Sequence, residues 1–130
     1  MEKDFDQWNK IKKTLNNKNV NFSCSHREIW WCSIGFNIGS EQNGRNRFFD
    51  RPVLILKKFN NQTILVVSIT STLKEDQYNF TIEDENQFSS VLLTQIRLLS
   101  TKRLRRFVRK ISTYEFNFIK GKIIDHIKYI

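Results

Sequence analysis

The stretch RPVLILKKFNNQTILVVSIT, residues 51–70, holds two β-rich apolar runs, Arg51 to Phe59 and Gln62 to Thr70, joined by Asn60-Asn61. Asparagine tolerates the left-handed backbone of tight hairpin turns, so this spacing predicts an antiparallel hairpin. Just upstream, Gly39-Ser40-Glu41-Gln42-Asn43-Gly44 is a polar, glycine-bearing loop that feeds the first run. Arg51 opens that run, and Ser68-Ile69-Thr70-Ser71-Thr72 closes the second. A carboxylate, a guanidinium and several hydroxyls therefore gather at one end of the hairpin, as on the rim of an active site on a small β-barrel.

The flanking segments extend the pattern. Phe5, Trp8, Ile11 and Leu15 recur at helical spacing behind Asp4, a capping residue, and Asn16, Asn17 and Asn19 break the run. From Arg27 to Phe36 the chain is strand-like, with Ile29, Trp30, Trp31, Cys32 and Ile34 placing apolar groups on both faces. Gly35, Gly39 and Gly44 punctuate the loop after it. Beyond the hairpin, Lys74-Glu75-Asp76 predicts a solvated loop. Tyr78, Phe80 and Ile82 predict a half-buried strand, Glu83 to Gln87 an acidic turn, and Ser90 to Leu99 another strand. Thr101 starts a helical turn, and Arg106 to Ile111 is a short strand. Ser112-Thr113-Tyr114-Glu115 reads as a capping box, ahead of a helix with the apolar stripe Phe116, Ile119, Ile123, Ile127. Many short strands with helices at the ends predict a mainly β fold, a small antiparallel barrel, rather than a parallel α/β sheet.

Composition narrows the function. The 130 residues suit one domain and can bury a core. Hydrophobic residues make up 39%, including 11 Phe, which excludes wholesale disorder. A formal net charge of +9 favours an anionic partner, nucleic acid ahead of a membrane surface. Cys24 and Cys32 lack metal-ligand spacing and are too few for a disulfide framework, so two reduced thiols are expected. The charged N-terminus has no signal-like apolar run, and the longest apolar runs are too short to span a bilayer. A soluble cytoplasmic protein is the expectation.

Four pieces in order resemble the MazF/PemK-like toxins of type II toxin–antitoxin modules. They are Glu28-Ile29-Trp30; Gly39 to Gly44 with Arg51-Pro52-Val53; Ser68-Ile69-Thr70-Ser71; and Ser90 to Arg97 running into Lys102-Arg103-Leu104. The resemblance runs from Arg27 to the chain end. It implies an SH3-like barrel over residues 26–130 with a C-terminal helix, residues 1–25 being a helical extension outside the common core. It also implies a homodimeric endoribonuclease that cleaves single-stranded RNA, needs no metal or other cofactor, and is neutralised by a cognate antitoxin protein. The family's catalytic arginine and threonine map onto Arg51 and Thr70, and its loop glutamate onto Glu41. Gln42, Arg45, Arg47, Phe48, Phe49, Ser71 and Gln95 are the accompanying RNA-binding candidates. The chain departs from the family at an insertion, Arg45 to Asp50, and at Ser40, Leu92 and Thr94, where some members carry His, Arg and Asp.

The chemistry asks little of the protein. RNA carries its own nucleophile: a 2′-OH attacks the adjacent phosphate, giving a cyclic phosphate and a 5′-OH. The protein has to orient the chain, neutralise developing charge and move protons. Arg51 suits charge neutralisation, because guanidinium binds phosphate bidentately and stays charged. Thr70 suits donation to a phosphate oxygen. Glu41 would either accept the 2′-OH proton or orient Arg51 through an ion pair. Trp30, Trp31, Phe48 and Phe49 are candidate stacking surfaces, at least one Trp being expected in the core. Gln95 and Arg97 also read as framework, and Lys102 to Lys110 as a solvated basic face that steers RNA. His26 and His126 lie apart from other chemistry. The alternative function is an SH3-like module that binds nucleic acid or protein without cleavage. A gyrase-poisoning toxin on a related barrel is a third reading, without a visible signature.

Overall fold

The computed structural model describes residues 3–19, 23–73, 76–84 and 87–128. The expected loop at Lys74-Glu75 and the tip of the acidic turn, Glu85-Asn86, lie outside them. In chain order the elements are α1 (Phe5–Asn16), β1 (Glu28–Ser33), β2 (Asp50–Lys58), β3 (Thr63–Thr70), β4 (Asn79–Asp84) and β5 (Gln87–Ser100). A 3-10 turn (Thr101–Arg103), β6 (Leu104–Lys110) and α2 (Thr113–Lys128) complete the order. The strands form one antiparallel sheet, β4-β5-β3-β2-β1-β6. The fold is mainly β, as expected.

The 51–70 stretch does form the central hairpin. Val53 faces Ser68 and Lys58 faces Ile64, and the turn closes through Phe59 N–H donating to the Thr63 carbonyl. Alternation sorts its side chains onto two faces. Leu54, Val67 and Ile69 join Ile29, Ile82, Val91 and Ile111 in one buried cluster, which α2 covers with Phe116, Ile119 and Ile123. Val53, Ile55, Ile64 and Val66 join Trp30, Cys32, Ile34, Leu99 and Leu104 in a second. The centre of the sheet is thus buried on both sides, which is why β1 carries apolar residues at adjacent positions. Both cysteines are free and buried. Complete burial pushes the Cys32 thiol up to about 12, so it stays protonated and inert.

The sheet bends at bulges, and the sharpest bend is in β5. Val67 faces Ile96, but Ile69 faces Val91, so β5 turns a corner over Leu92 to Gln95. That corner carries β4 round toward β1 and β6. β4 and β6 stay unpaired, leaving a barrel open on one side among the described residues.

Both helices form where the pattern placed them. Asp4 Oδ1 accepts from Gln7 N–H at 2.9 Å to cap α1, and Ser112 Oγ accepts from Glu115 N–H at 3.1 Å at the start of α2. The α2 stripe is shorter than expected: Phe116, Ile119 and Ile123 are buried, but Ile127 is 60% exposed. Tyr78 likewise lies just before β4 and is exposed.

Two glycines give opposite expectations. A Cβ on Gly44 would sit 1.7 Å from the Phe49 carbonyl oxygen, whereas one on Gly121 in α2 meets nothing within 4 Å. Gly44→Ala is expected to destabilise by about 1–3 kcal/mol or more. Gly121→Ala is expected to stabilise by about 0.5–1 kcal/mol, through helix propensity. Urea midpoints at unchanged slope read both shifts, and shifts of the same sign would contradict this packing.

Candidate functional site

Where β4 and β6 fail to meet, the barrel opens into a cleft of about 380 Å³. This lies within the size range of ligand sites, about 300–1,000 Å³. Ile29, Ile69 and Ile82 give it apolar walls, with Trp31 from β1 and Val108 and Arg109 from β6. Arg45, Arg51, Thr70 and Ser71 bring the polar groups.

Arg51 and Thr70 meet because both lie at the same end of the hairpin. Arg51 Nη1 is 3.5 Å from Thr70 Oγ1, a long hydrogen bond. Thr70 Oγ1 also accepts from the Thr72 amide at 3.3 Å. With its lone pairs engaged, the hydroxyl has its proton left to donate. Arg51 is held from behind by neutral groups. Its Nε donates to the Asn43 carbonyl. In the amide orientation that satisfies its surroundings, the Gln42 side-chain oxygen accepts from Arg51 Nε at 2.7 Å and Nη1 at 3.0 Å. Burial, then the nearby Arg45, pushes Arg51 below its ordinary value. It remains a cation, since arginine does not lose its proton in proteins.

Of the two roles open to Glu41, the ion pair with Arg51 does not form, and Asp50, next to Arg51 in sequence, does not pair with it either. Asp50 is buried and paired with Arg105 at 2.8 Å, and it accepts from Asn46 Nδ2 at 2.7 Å. That pair is the one ion pair among the described residues. Glu41 is exposed, and its Oε1 accepts from the Ile38 amide of its own loop at 3.0 Å. It does not line the cleft, but a neighbouring polar groove with Asn37, Ser40, Gln42 and Gln95. Gln95 Oε1 accepts from the Gln42 amide at 2.9 Å, so Gln95 braces the loop from the β5 corner.

The insertion forms a tight turn. Arg45 and Asp50 exchange backbone hydrogen bonds of 2.9 and 3.0 Å, and Asn46 and Phe49 adopt positive φ. This turn separates its two phenylalanines. Phe49, expected to stack on bases, is 5% exposed and packs on Phe36 and Trp8, with ring centroids 4.7 and 5.6 Å away. Phe48 is half-buried and carries the Arg105 guanidinium 3.5 Å from its centroid, with Arg47 at 4.9 Å. Trp30 is core and Trp31 lines the cleft, with Arg106 5.2 Å over its ring.

The basic run is only partly a solvated face. Lys102 donates to the Asn16 carbonyl, Arg103 to that of Ser33, and Arg105 to Asp50. His26 packs on Phe116, and His126 on Tyr78, both away from the cleft. Asn43 and Asn46 escaped the sequence reading as site-shaping residues. The only signal was an asparagine at each end of a glycine–arginine pair. Among the described residues no three His, Cys, Asp or Glu side chains gather as a metal-holding group. No described helix is long and apolar enough to cross a membrane.

No curated protein sequence matches the chain. Solved structures share its fold at low identity. MazF from Deinococcus radiodurans aligns at a TM-score of 0.70 with 18% identity, covering 83% of this chain and 99% of that one. An endoribonuclease from a mycobacterial species, solved with its cognate antitoxin, aligns at 0.65 with 12% identity, covering 83% and 98%. The Deinococcus radiodurans MazE–MazF complex aligns at 0.65 with 15% identity, covering 82% and 97%. The sequence profile described as PemK-like, MazF-like toxin of type II toxin-antitoxin system matches residues 25–127. That match spans most of the chain, which therefore belongs to the PemK/MazF family of type II toxin–antitoxin toxins.

Proposed function

We propose that the protein is the toxin of a type II module and cleaves single-stranded RNA at the Arg51 cleft, by attack of a 2′-OH on the adjacent phosphate. The observation that carries this reading is the Arg51–Thr70 pair: a cation without a carboxylate partner among the described residues, 3.5 Å from a hydroxyl able to donate. Arg51 neutralises charge growing on the phosphate, and Thr70 donates to one of its oxygens. As the 2′-oxygen bonds to phosphorus the P–O5′ bond breaks, the 2′-OH proton passes to solvent water and the leaving 5′-oxygen takes one up; with the charge carried by Arg51, no metal enters this step. Ser71 and Arg45 border the phosphate site. Phe48 and Trp31 offer ring surfaces for flanking bases, and Arg47 and Arg45 attract the backbone. Gln42, Gln95 and Glu41 act on Arg51 through the loop rather than on RNA directly. A cognate antitoxin would cover this basic cleft, as antitoxins accompany two of the similar solved structures. A homodimer in the cytoplasm completes the reading.

One observation favours the second reading, a module that binds RNA without cutting it. Among the described residues Asp50 is the one carboxylate lining the cleft, and Arg105 and Asn46 occupy it. No described side chain there is a ready general base.

Purified protein incubated with single-stranded RNA in chelator decides between them. Cleavage to 5′-OH and cyclic-phosphate ends is expected. Arg51→Ala is expected to cost about 10²–10³-fold and Thr70→Val at least about tenfold. Intact RNA with wild-type protein would favour the binding module, and undiminished cleavage by both variants would refute the site. Phe48→Ala is expected to weaken RNA binding about tenfold, the equivalent of one lost stacking contact, with stability unchanged. Phe49→Ala is expected to lose about 3–5 kcal/mol of stability instead. Equal stability of the two variants would contradict their assignment to opposite sides of the turn.

A further inference from the structure

Helix α1 lies outside the residues that match the family, yet it packs on the loop that holds Arg51. Trp8 is its single buried residue, 5% exposed. The Trp8 indole lies flat against Gly35, where an added Cβ would come within 2.1 Å of the ring. Gly35 also has φ +81°, a conformation that a side chain would strain. Trp8 touches Phe49 at the far end of the loop, and Phe5 packs on Phe36 with centroids 6.3 Å apart. Lys3 Nζ donates to the Asn37 carbonyl and, at 3.4 Å, to that of Gly39. Arg103 lies 5.7 Å from a Trp8 ring centroid, so the indole is contacted from both the loop and the 3-10 turn.

These contacts meet the loop at its root and along its first arm. From there, hydrogen bonds run within the loop to the guanidinium. Asn37 N–H donates to Asn43 Oδ1 at 2.6 Å, and Asn37 Nδ2 to the Gln42 carbonyl at 2.8 Å. Gly44 N–H donates to the Gly35 carbonyl at 2.7 Å. Asn43 and Gln42 then supply the acceptors that hold Arg51. Among the described residues, the barrel side chains that reach the loop and its root are Arg51 itself, Gln95, which accepts from the Gln42 amide, and Arg97, which donates to the Ile34 carbonyl.

We propose that α1 is a strap that holds the 35–44 loop closed behind Arg51, with Trp8 as the positioning residue that fixes the loop root. The catalytic part of this inference rests on the reading of Arg51 as the phosphate-binding group; the mechanical part does not. A loosened loop would leave Arg51 attached to the sheet but free to swing, since both of its rear acceptors lie on the loop. The cost would appear in turnover rather than in RNA binding, because neither α1 nor the loop root lines the cleft.

Amide hydrogen exchange on the full chain tests the strap directly. The variants are Trp8→Ala, Trp8→Phe, and the double variant Lys3→Met with Phe5→Ala, whose sites lie at the surface and spare the core. Exchange at Asn37, Ile38, Gln42 and Gly44 is expected to quicken about tenfold or more in Trp8→Ala and the double variant. Exchange at Val66 and Val67 in β3 should not change, and Trp8→Phe should restore most protection. In RNA cleavage, the same two variants are expected to lose about tenfold or more in kcat, with KM within about twofold. Loop exchange at the wild-type rate in the double variant, with or without a folded Trp8→Ala, overturns the strap. A wild-type protein that cuts no RNA overturns the functional reading alone, and the exchange rates still decide the strap.

Discussion

A guanidinium drawn into a cleft loses part of its hydration and has to recover it from the protein. Usually a carboxylate supplies the replacement, and the pair then has little net charge to offer a ligand. Arg51 is solvated differently. A backbone carbonyl and a side-chain amide, from Asn43 and Gln42, take its donors without cancelling its charge. Asp50, the one cleft carboxylate among the described residues, is drawn off by Arg105 and Asn46. The result is a fixed positive site in surroundings less polarisable than water, where its attraction for phosphate is stronger than at an open surface. The loop, the insertion and β6 each contribute to keeping that charge uncompensated.

The sheet provides the place for it. A closed barrel would pair β4 with β6 and fill the gap with a ladder. The corner in β5 brings β4 round only far enough for Ile82 to face Ile29 across the opening, and α2 seals the core beneath. The proposed site occupies the unpaired edge of the sheet. Arg45, Asn46 and Asp50 of the 45–50 turn line the cleft, and Arg47 and Arg105 lie over the Phe48 ring of the same turn.

Much of this was legible in the residues. The hairpin, both helices and the meeting of Arg51 with Thr70 follow from alternation, capping residues and the position of each residue at a strand end. What was hidden depends on turn geometry and on competition between partners. Phe48 and Phe49 are adjacent and chemically identical, yet in the turn, where Phe49 takes a positive φ, Phe49 is buried and Phe48 stays half-exposed beneath two arginines. Glu41 sits in a motif that suggests catalysis, but the amide of Ile38 is three residues away and claims its carboxylate. Asp50 adjoins Arg51 in sequence, yet Arg105 and Asn46 take up its carboxylate oxygens instead. The role of α1 was not visible either, because nothing in the spacing of Trp8 indicates that Gly35 will be its seat.

The most direct test of an uncompensated charge at Arg51 is the salt dependence of RNA binding, measured with an RNA whose 2′-OH groups are replaced so that it cannot be cut. If Arg51 contacts one phosphate, Arg51→Ala lowers affinity and reduces the slope of log K against log salt by about 0.7 for a single strand. A variant that binds as tightly as the wild type with the same slope would show that the Arg51 charge never meets the backbone, and the account would fail at its centre.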